Sequence, residues 1–241
     1  MHADPIRPDE EKMTDSTLQR QSEGLRLWLV GAILCLVLVP PTIIFIDRPL
    51  AIWAHQFHGT RVLARVSHLP EWLIPLGILL LAIIAIIIAF GHRSLVADFA
   101  LRCGVALIVG ATIKDQLKIL FGRTWPEGWL QNNPSFINDG VYGFWPAHGG
   151  TAYGAFPSGH TTAGLIVLTL LWQYWPRLRA LYVAAGAGLI TLLVAGGFHW
   201  LSDTIAGAFL GVAIGWVAAA LGRPQALLPA SATESPVPDA I

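Results

Sequence analysis

Charged residues and cysteines are scarce in this chain. Only 12% of the 241 residues are charged, against 54% hydrophobic, and 15 basic residues balance 15 acidic ones. A chain of zero net charge gives nucleic-acid binding no electrostatic support. Cys35 and Cys103 each fall inside an apolar run without a neighbouring cysteine or histidine pair, so we expect buried thiols and no metal site. The composition is that of an integral membrane protein.

The N-terminal 24 residues lack the apolar core of a signal peptide. They are polar and mixed in charge, which predicts a disordered cytoplasmic tail over residues 1–24. No small-residue cleavage site follows the first apolar run, so we expect that run to remain as an anchor. The Pro-, Ala- and Ser-rich residues 223–241 predict a second disordered tail, with a membrane domain over residues 25–222 between the two.

Long apolar runs predict an all-α, polytopic membrane protein with a bundle of six transmembrane helices. The predicted spans cover residues 25–46, 72–90, 96–121, 158–174, 181–198 and 203–221. Pro40 and Pro41 predict a kink near the end of the first span. Residues 47–71 form a connecting segment, and the sequence is equally compatible with an interfacial amphipathic helix and a surface loop there. Asp98 and Arg102, four residues apart, are expected to pair.

Six spans place both termini on one side of the membrane, and the basic residues indicate which side. Eight of them fall on the side of the termini, namely Arg7, Lys12, Arg20, Arg26, Arg93, Arg177, Arg179 and Arg223. The other side holds Arg48, Arg61, Arg65 and Arg123, with Lys118 at the border. Because basic loops favour the cytoplasm, we expect cytoplasmic termini, a bacterial inner membrane, and a periplasmic loop over residues 122–156.

Three polar clusters converge at that outer face, at residues 118–126, 156–160 and 199–203. His199 and Asp203 are four residues apart, so the carboxylate can accept a hydrogen bond from one imidazole nitrogen. That contact fixes the tautomer and leaves the other nitrogen as nucleophile or base. The spacing therefore predicts an acid–base or nucleophilic site.

The neighbouring residues are suited to an anionic phosphoryl group. Lys118 and Arg123 can hold its oxygens by charge. The Ser158 hydroxyl and the Gly159 amide stand at a predicted helix start, where free N–H groups face an anion. His160 follows on the first turn and can protonate a leaving oxygen.

These residues resemble the type 2 phosphatidic acid phosphatase family of membrane lipid phosphatases, which is related to the vanadium-dependent haloperoxidases. The family signature has three blocks, KxxxxxxRP, PSGH and SRxxxxxHxxxD. Residues 157–160 match the second block completely, and residues 199–203 match the end of the third. Lys118 and the proline of the first block are present, but Trp125 replaces its arginine, and residues 192–193 are leucines in place of the Ser-Arg pair.

The resemblance implies a metal-independent phosphatase that needs no cofactor. His199 is implied to attack phosphorus and form a phosphohistidine, Asp203 to orient it, and His160 to protonate the leaving group. The implied fold is a six-helix bundle of the lipid phosphatase type, and the implied partners are the bilayer and a phosphorylated lipid. Two alternatives stay open, a lipid phosphotransferase and a catalytically silent lipid-phosphate binder or transporter. The oligomeric state stays open as well.

The resemblance further implies that Lys118, Ser158 and Gly159 bind the phosphoryl oxygens. Both family arginines are absent. Arg123 is therefore expected to replace the arginine of the first block in binding the phosphoryl oxygens. Lys114, one turn from Lys118, is a weaker candidate for a second charge. Trp125 is itself expected to lie at the lipid interface.

Overall fold

The computed structural model describes residues 26, 28–56, 83, 86, 94–128 and 133–221. Its helices are α1 (Trp28–His55), α2 (Leu95–Phe121), α3 (Phe136–Asp139), α4 (Gly159–Tyr174), α5 (Arg179–Ala195) and α6 (Leu201–Ala220). Short 3-10 turns occupy Thr151–Tyr153 and Pro176–Leu178. The all-α prediction is confirmed for the part of the chain that the structure describes.

Four described segments are long and apolar enough to cross a membrane. They are Trp28–His55, Leu95–Phe121, Pro176–Ala195 and Leu201–Ala220. The 16-residue helix α4 coincides with the predicted fourth span. The predicted second span and both predicted tails lie outside the described residues, apart from the helical positions Ile83 and Ile86. The chain is therefore a multi-pass helical membrane protein, and the five predicted spans that fall within the described residues are helices.

Helix α1 continues further than the sequence predicts. The prediction ends the first span at residue 46, but the helix widens into a π-helical turn at Thr42–Ile46 and then runs on to His55. The turn follows Pro40 and Pro41 directly, whose nitrogens can donate no hydrogen bond to the preceding turn. Of the two alternatives for the connecting segment, the surface loop is thus wrong for residues 47–55, which are helical. The extension carries Asp47 into the bundle, where it is only 1% exposed.

Glycines bring α6 unusually close to α4. A Cβ atom at Gly207 would lie 2.6 Å from the Ser158 carbonyl oxygen, and one at Gly211 would lie 2.5 Å from the Thr162 carbonyl oxygen. Small residues four apart allow this approach of two membrane helices. The Ser158 backbone N–H accordingly donates to the carbonyl oxygen of Asp203 at 3.0 Å. The first turns of α4 and α6 are therefore joined directly.

A polar cluster at the opposite end of the bundle ties three helices together. Arg102 Nε donates to Asp98 Oδ2 at 2.8 Å, which confirms the predicted pair. Arg102 also donates to the Ala218 carbonyl oxygen at 3.1 Å, and the Tyr174 hydroxyl donates to Asp98. Helices α2, α4 and α6 are thereby held in register far from the His199 side of the bundle.

Candidate active site

The structure brings the two predicted catalytic histidines together. His160 lies on the first turn of α4 and is exposed, whereas His199 precedes α6 and is only 2% exposed. Their ring centroids are 5.9 Å apart. The close contact between the starts of α4 and α6 thus places one accessible and one buried imidazole side by side.

His199 faces Asp203 as the spacing predicts. His199 Nδ1 lies 3.4 Å from Asp203 Oδ2, and the same oxygen accepts the Trp200 backbone N–H at 3.1 Å. Asp203 therefore caps the first turn of α6 and orients the imidazole at once. Burial, and then the Lys118 charge, lower the pKa of His199 far below its usual range, while the Ala155 carbonyl opposes them. The imidazole is consequently neutral, as a nucleophile must be.

The start of α4 is shaped by its own N-cap. Ser158 is fully buried, and its hydroxyl oxygen accepts from the Thr161 backbone N–H at 3.3 Å and from the Thr161 hydroxyl at 3.0 Å. Gly159 comes next, and a Cβ atom there would lie 2.9 Å from Lys114 Cδ. A Cβ atom would displace the flexible end of the Lys114 side chain, whose Nζ donates to Asp115. This approach to Gly159 places Lys114 beside the predicted phosphate-binding turn.

Trp125 lines the site. Its ring centroid lies 5.1 Å from that of His199 and 5.8 Å from Lys118 Nζ. The indole N–H donates to the Thr151 carbonyl oxygen at 2.7 Å, which fixes the ring. Trp125 thus packs against the predicted nucleophile. The sequence signal for its place in the site is that it replaces the arginine of the KxxxxxxRP block.

Arg123 is buried among protein oxygens. The side chain is 0% exposed. Arg123 Nη1 donates to Asp203 Oδ1 and to Ser202 Oγ, both at 2.5 Å, and Nη2 donates to Asp47 Oδ2 at 2.7 Å. Both terminal nitrogens therefore bond protein oxygens behind Asp203, on the side away from His199. Sequence reasoning missed Asp47, whose signal is a lone carboxylate at the end of an apolar run.

No group of three or more His, Cys, Asp and Glu side chains that could hold a metal ion occurs among the described residues. A neutral histidine, a carboxylate, a second histidine and a lysine instead meet where the first turns of α4 and α6 approach the end of α2. This arrangement defines a class of helical membrane proteins suited to handling an anionic phosphoryl group.

The chain belongs to the PAP2 superfamily, whose family model matches residues 99–225. The resemblance drawn from the three sequence blocks is therefore confirmed. The match covers the site residues from Lys118 to Asp203, whereas Asp47 lies outside it.

Two curated relatives and one solved structure resemble the chain. It is 30% identical over 110 residues to a lipid A 1-phosphatase of Rhizobium etli, which covers 46% of this chain and 43% of the relative. It is also 30% identical over 105 residues to a lipid A 1-phosphatase of Rhizobium johnstonii, covering 44% and 40%. These matches span less than half the length of the relatives.

The solved structure is a crystal structure of a PAP2 type phosphatidylglycerolphosphate phosphatase from Bacillus subtilis. It superposes with a TM-score of 0.50 at 17% identity and covers 81% of this chain and 93% of that one. This likeness concerns the fold.

Proposed function

We propose that this chain is a membrane phosphatase that hydrolyses the phosphomonoester or diphosphate of a lipid. The observation that carries the proposal is the neutral, buried His199, held by Asp203 and adjacent to an exposed His160 at a helix N-terminus. In-line phosphoryl transfer needs a nucleophile, a proton donor and stabilisation of the phosphoryl charge. Membership of the PAP2 superfamily supports each of these assignments.

The first step uses the two histidines in different roles. His199 Nδ1 is held by Asp203, so Nε2 attacks phosphorus and forms an N–P bond. The P–O bond to the lipid breaks, and His160 gives its proton to the leaving oxygen. Water then attacks the phosphohistidine, His160 takes a proton from that water, and the N–P bond breaks to release phosphate.

The phosphoryl oxygens are bound at the start of α4. Lys118 supplies a positive charge beside His199, and the Gly159 and His160 amides point from the helix N-terminus. Lys114, which crosses Gly159, supplies the second charge in place of the absent family arginines. Ser158 acts by capping the turn that presents these amides.

The substrate class is a lipid phosphate, and the site faces the periplasm with both termini in the cytoplasm. The solved relative and both curated relatives carry names of lipid phosphatases, which supports the lipid. A site at the end of apolar helices can bind a headgroup while the acyl chains stay in the bilayer. His160 is exposed and His199 is covered by Trp125, so the phosphate reaches His199 along His160.

A catalytically silent lipid-phosphate binder is the second candidate. The observation in its favour is that Trp125 and Leu193 occupy the places of both family arginines, and bidentate arginines make strong charge-assisted bonds to phosphate.

Phosphate release from the detergent-purified chain separates the two candidates. The assay uses a panel of lipid mono- and diphosphates as substrates, with EDTA present. It compares the wild type with His199→Ala. His148→Ala is the matched control, since His148 is an exposed histidine of the same outer face. We expect chelator-resistant release that disappears only in His199→Ala, with an acid-labile phosphoenzyme in the wild type. Lipid binding without release by folded protein would establish the silent binder.

A further inference from the structure

A fully buried polar network lies behind His199. Its members are Asp47 on α1, Arg123 in the loop after α2, and Ser202 and Asp203 on the first turn of α6; each is at most 1% exposed. We propose that Arg123 and Asp47 form a positioning pair that orients Asp203, and through it His199, for phosphoryl transfer. The inference rests on the proposed function and extends it to two residues.

The two oxygens of Asp203 face opposite ways. Oδ2 faces His199 and accepts the Trp200 N–H, while Oδ1 accepts from Arg123 Nη1 at 2.5 Å. A carboxylate held from both sides cannot rotate without losing one contact. Arg123 therefore sets the direction in which Asp203 presents its second oxygen to the imidazole.

Both terminal nitrogens of Arg123 are held, whereas its buried Nε has no hydrogen-bond partner among the described residues. Its Nη2 donates to Asp47 at 2.7 Å, and its guanidinium carbon lies 4.8 Å from the Phe144 ring centroid and 5.2 Å from that of Trp200. A guanidinium is planar, so it can contact aromatic rings with its face and carboxylates with its edges. A lysine ammonium cannot make both kinds of contact in this way. The guanidinium is a rigid connection between two carboxylates.

The charges of this network explain why a second carboxylate is present. Burial lowers the pKa of Arg123, but Asp203 and Asp47 raise it more, so the guanidinium stays charged. When both carboxyl groups are ionised, one guanidinium shared between them leaves a net negative charge. That surplus favours the positive charge that develops on His199 when Nε2 bonds to phosphorus. Without Asp47, Arg123 would neutralise Asp203 and weaken this effect.

Asp47 also fixes the first turn of α6. Its Oδ1 accepts the Ser202 backbone N–H at 3.1 Å, and the Ser202 hydroxyl donates to Oδ2. Asp47 is 155 residues away from Ser202 in the chain and lies outside the segment matched by the family model. Helix α1 therefore contributes to the site through Asp47.

The test uses Asp47→Asn and Arg123→Gln in the purified full-length chain, with steady-state kinetics on the preferred lipid. We expect kcat to fall roughly 10- to 100-fold, since misplacement of a catalytic group by about 1 Å has this effect. KM and the inhibition constant for inorganic vanadate should stay within about twofold, because neither side chain touches the phosphoryl group. Arg123→Lys should recover only part of the rate, because an ammonium holds one carboxylate at a time.

Asp98→Asn is the matched control, because it also breaks an Arg–Asp pair, at the opposite end of the bundle. It should keep wild-type kcat. If Arg123→Gln instead raised the vanadate inhibition constant tenfold, Arg123 would be a phosphate ligand and the proposal would be overturned. Wild-type kcat in folded Asp47→Asn would overturn it as well.

A second measurement needs no turnover and separates this inference from the proposed function. The ring 15N spectrum of the histidine-labelled chain reports the tautomer of His199, whose signal is assigned by its loss in His199→Ala. We expect the Nδ1–H tautomer in the wild type and a shift towards Nε2–H in Arg123→Gln. An unchanged tautomer would refute the positioning pair even in an inactive protein, whereas a shift without lipid hydrolysis by the wild type would refute only the proposed function.

Discussion

Replacing Gly207 by alanine tests whether the approach of α6 to α4 assembles the site. The added Cβ would lie 2.6 Å from the Ser158 carbonyl oxygen, where ordinary contact begins at 3.4 Å. The obstacle is backbone, so no side-chain rotation relieves it, and α6 has to move by roughly 0.8 Å from α4. Asp203 stands one turn away on α6, so the shift also moves it relative to His160.

Two losses are expected from this displacement. Overpacking of this kind costs about 1–3 kcal/mol, and about 1 kcal/mol lowers the melting temperature by roughly 2–4 °C in a chain of this size. Catalysis should fall up to about 100-fold, because the reacting groups are misplaced by nearly 1 Å.

The assay is thermal unfolding in detergent combined with phosphate release from the preferred lipid. Gly188→Ala is the control, because a Cβ atom there meets nothing within 4 Å, and it should behave as wild type. If Gly207→Ala kept the wild-type melting temperature and kcat, the close approach would not be what holds the site together.

The remaining predictions concern the site directly. Asp203→Asn should fold normally but lose about 1,000-fold or more in kcat, since the imidazole loses its orienting charge; near-normal turnover would remove Asp203 from the mechanism. Lys114→Met should raise the vanadate inhibition constant several-fold with a smaller effect on kcat, and unchanged inhibition would show that the second charge comes from elsewhere. Because the folded chain keeps His199 neutral while the unfolded chain takes up a proton below about pH 6.5, folded-state stability should fall as the pH drops from 7 to 5. His199→Gln should flatten that dependence of the melting temperature, and an equally steep profile would contradict the burial argument.

Local patterns in the sequence predict the helices and part of the site. Apolar runs define α2, α5 and α6 to within a few residues, because burial in lipid requires long uninterrupted helices. Ser158 before Gly159 predicts the N-cap of α4, which the structure confirms. The i, i+4 spacing places His199 against Asp203, as it places Asp98 against Arg102. Each of these results depends on residues that are close together in the sequence.

Helix α1 shows the limit of prediction from neighbouring residues. Pro40 and Pro41 predict a kink near the end of the first span, yet the chain continues as a helix through a π-turn to His55. That continuation determines the position of Asp47, whose partners Arg123 and Ser202 lie 76 and 155 residues away along the chain.

Membrane helices, the N-cap at Ser158 and the pairing of His199 with Asp203 are predictable from the sequence, because they follow from hydropathy or from short spacing, and the resemblance of the sequence blocks points to the family. The contacts of Arg123 become known only from the folded chain, because its carboxylate partners Asp47 and Asp203 lie 76 and 80 residues away along the sequence. From the sequence, a charged side chain near a predicted phosphate site is interpreted as a phosphate ligand. Its burial between two carboxylates becomes visible only when α1 and α6 are brought together.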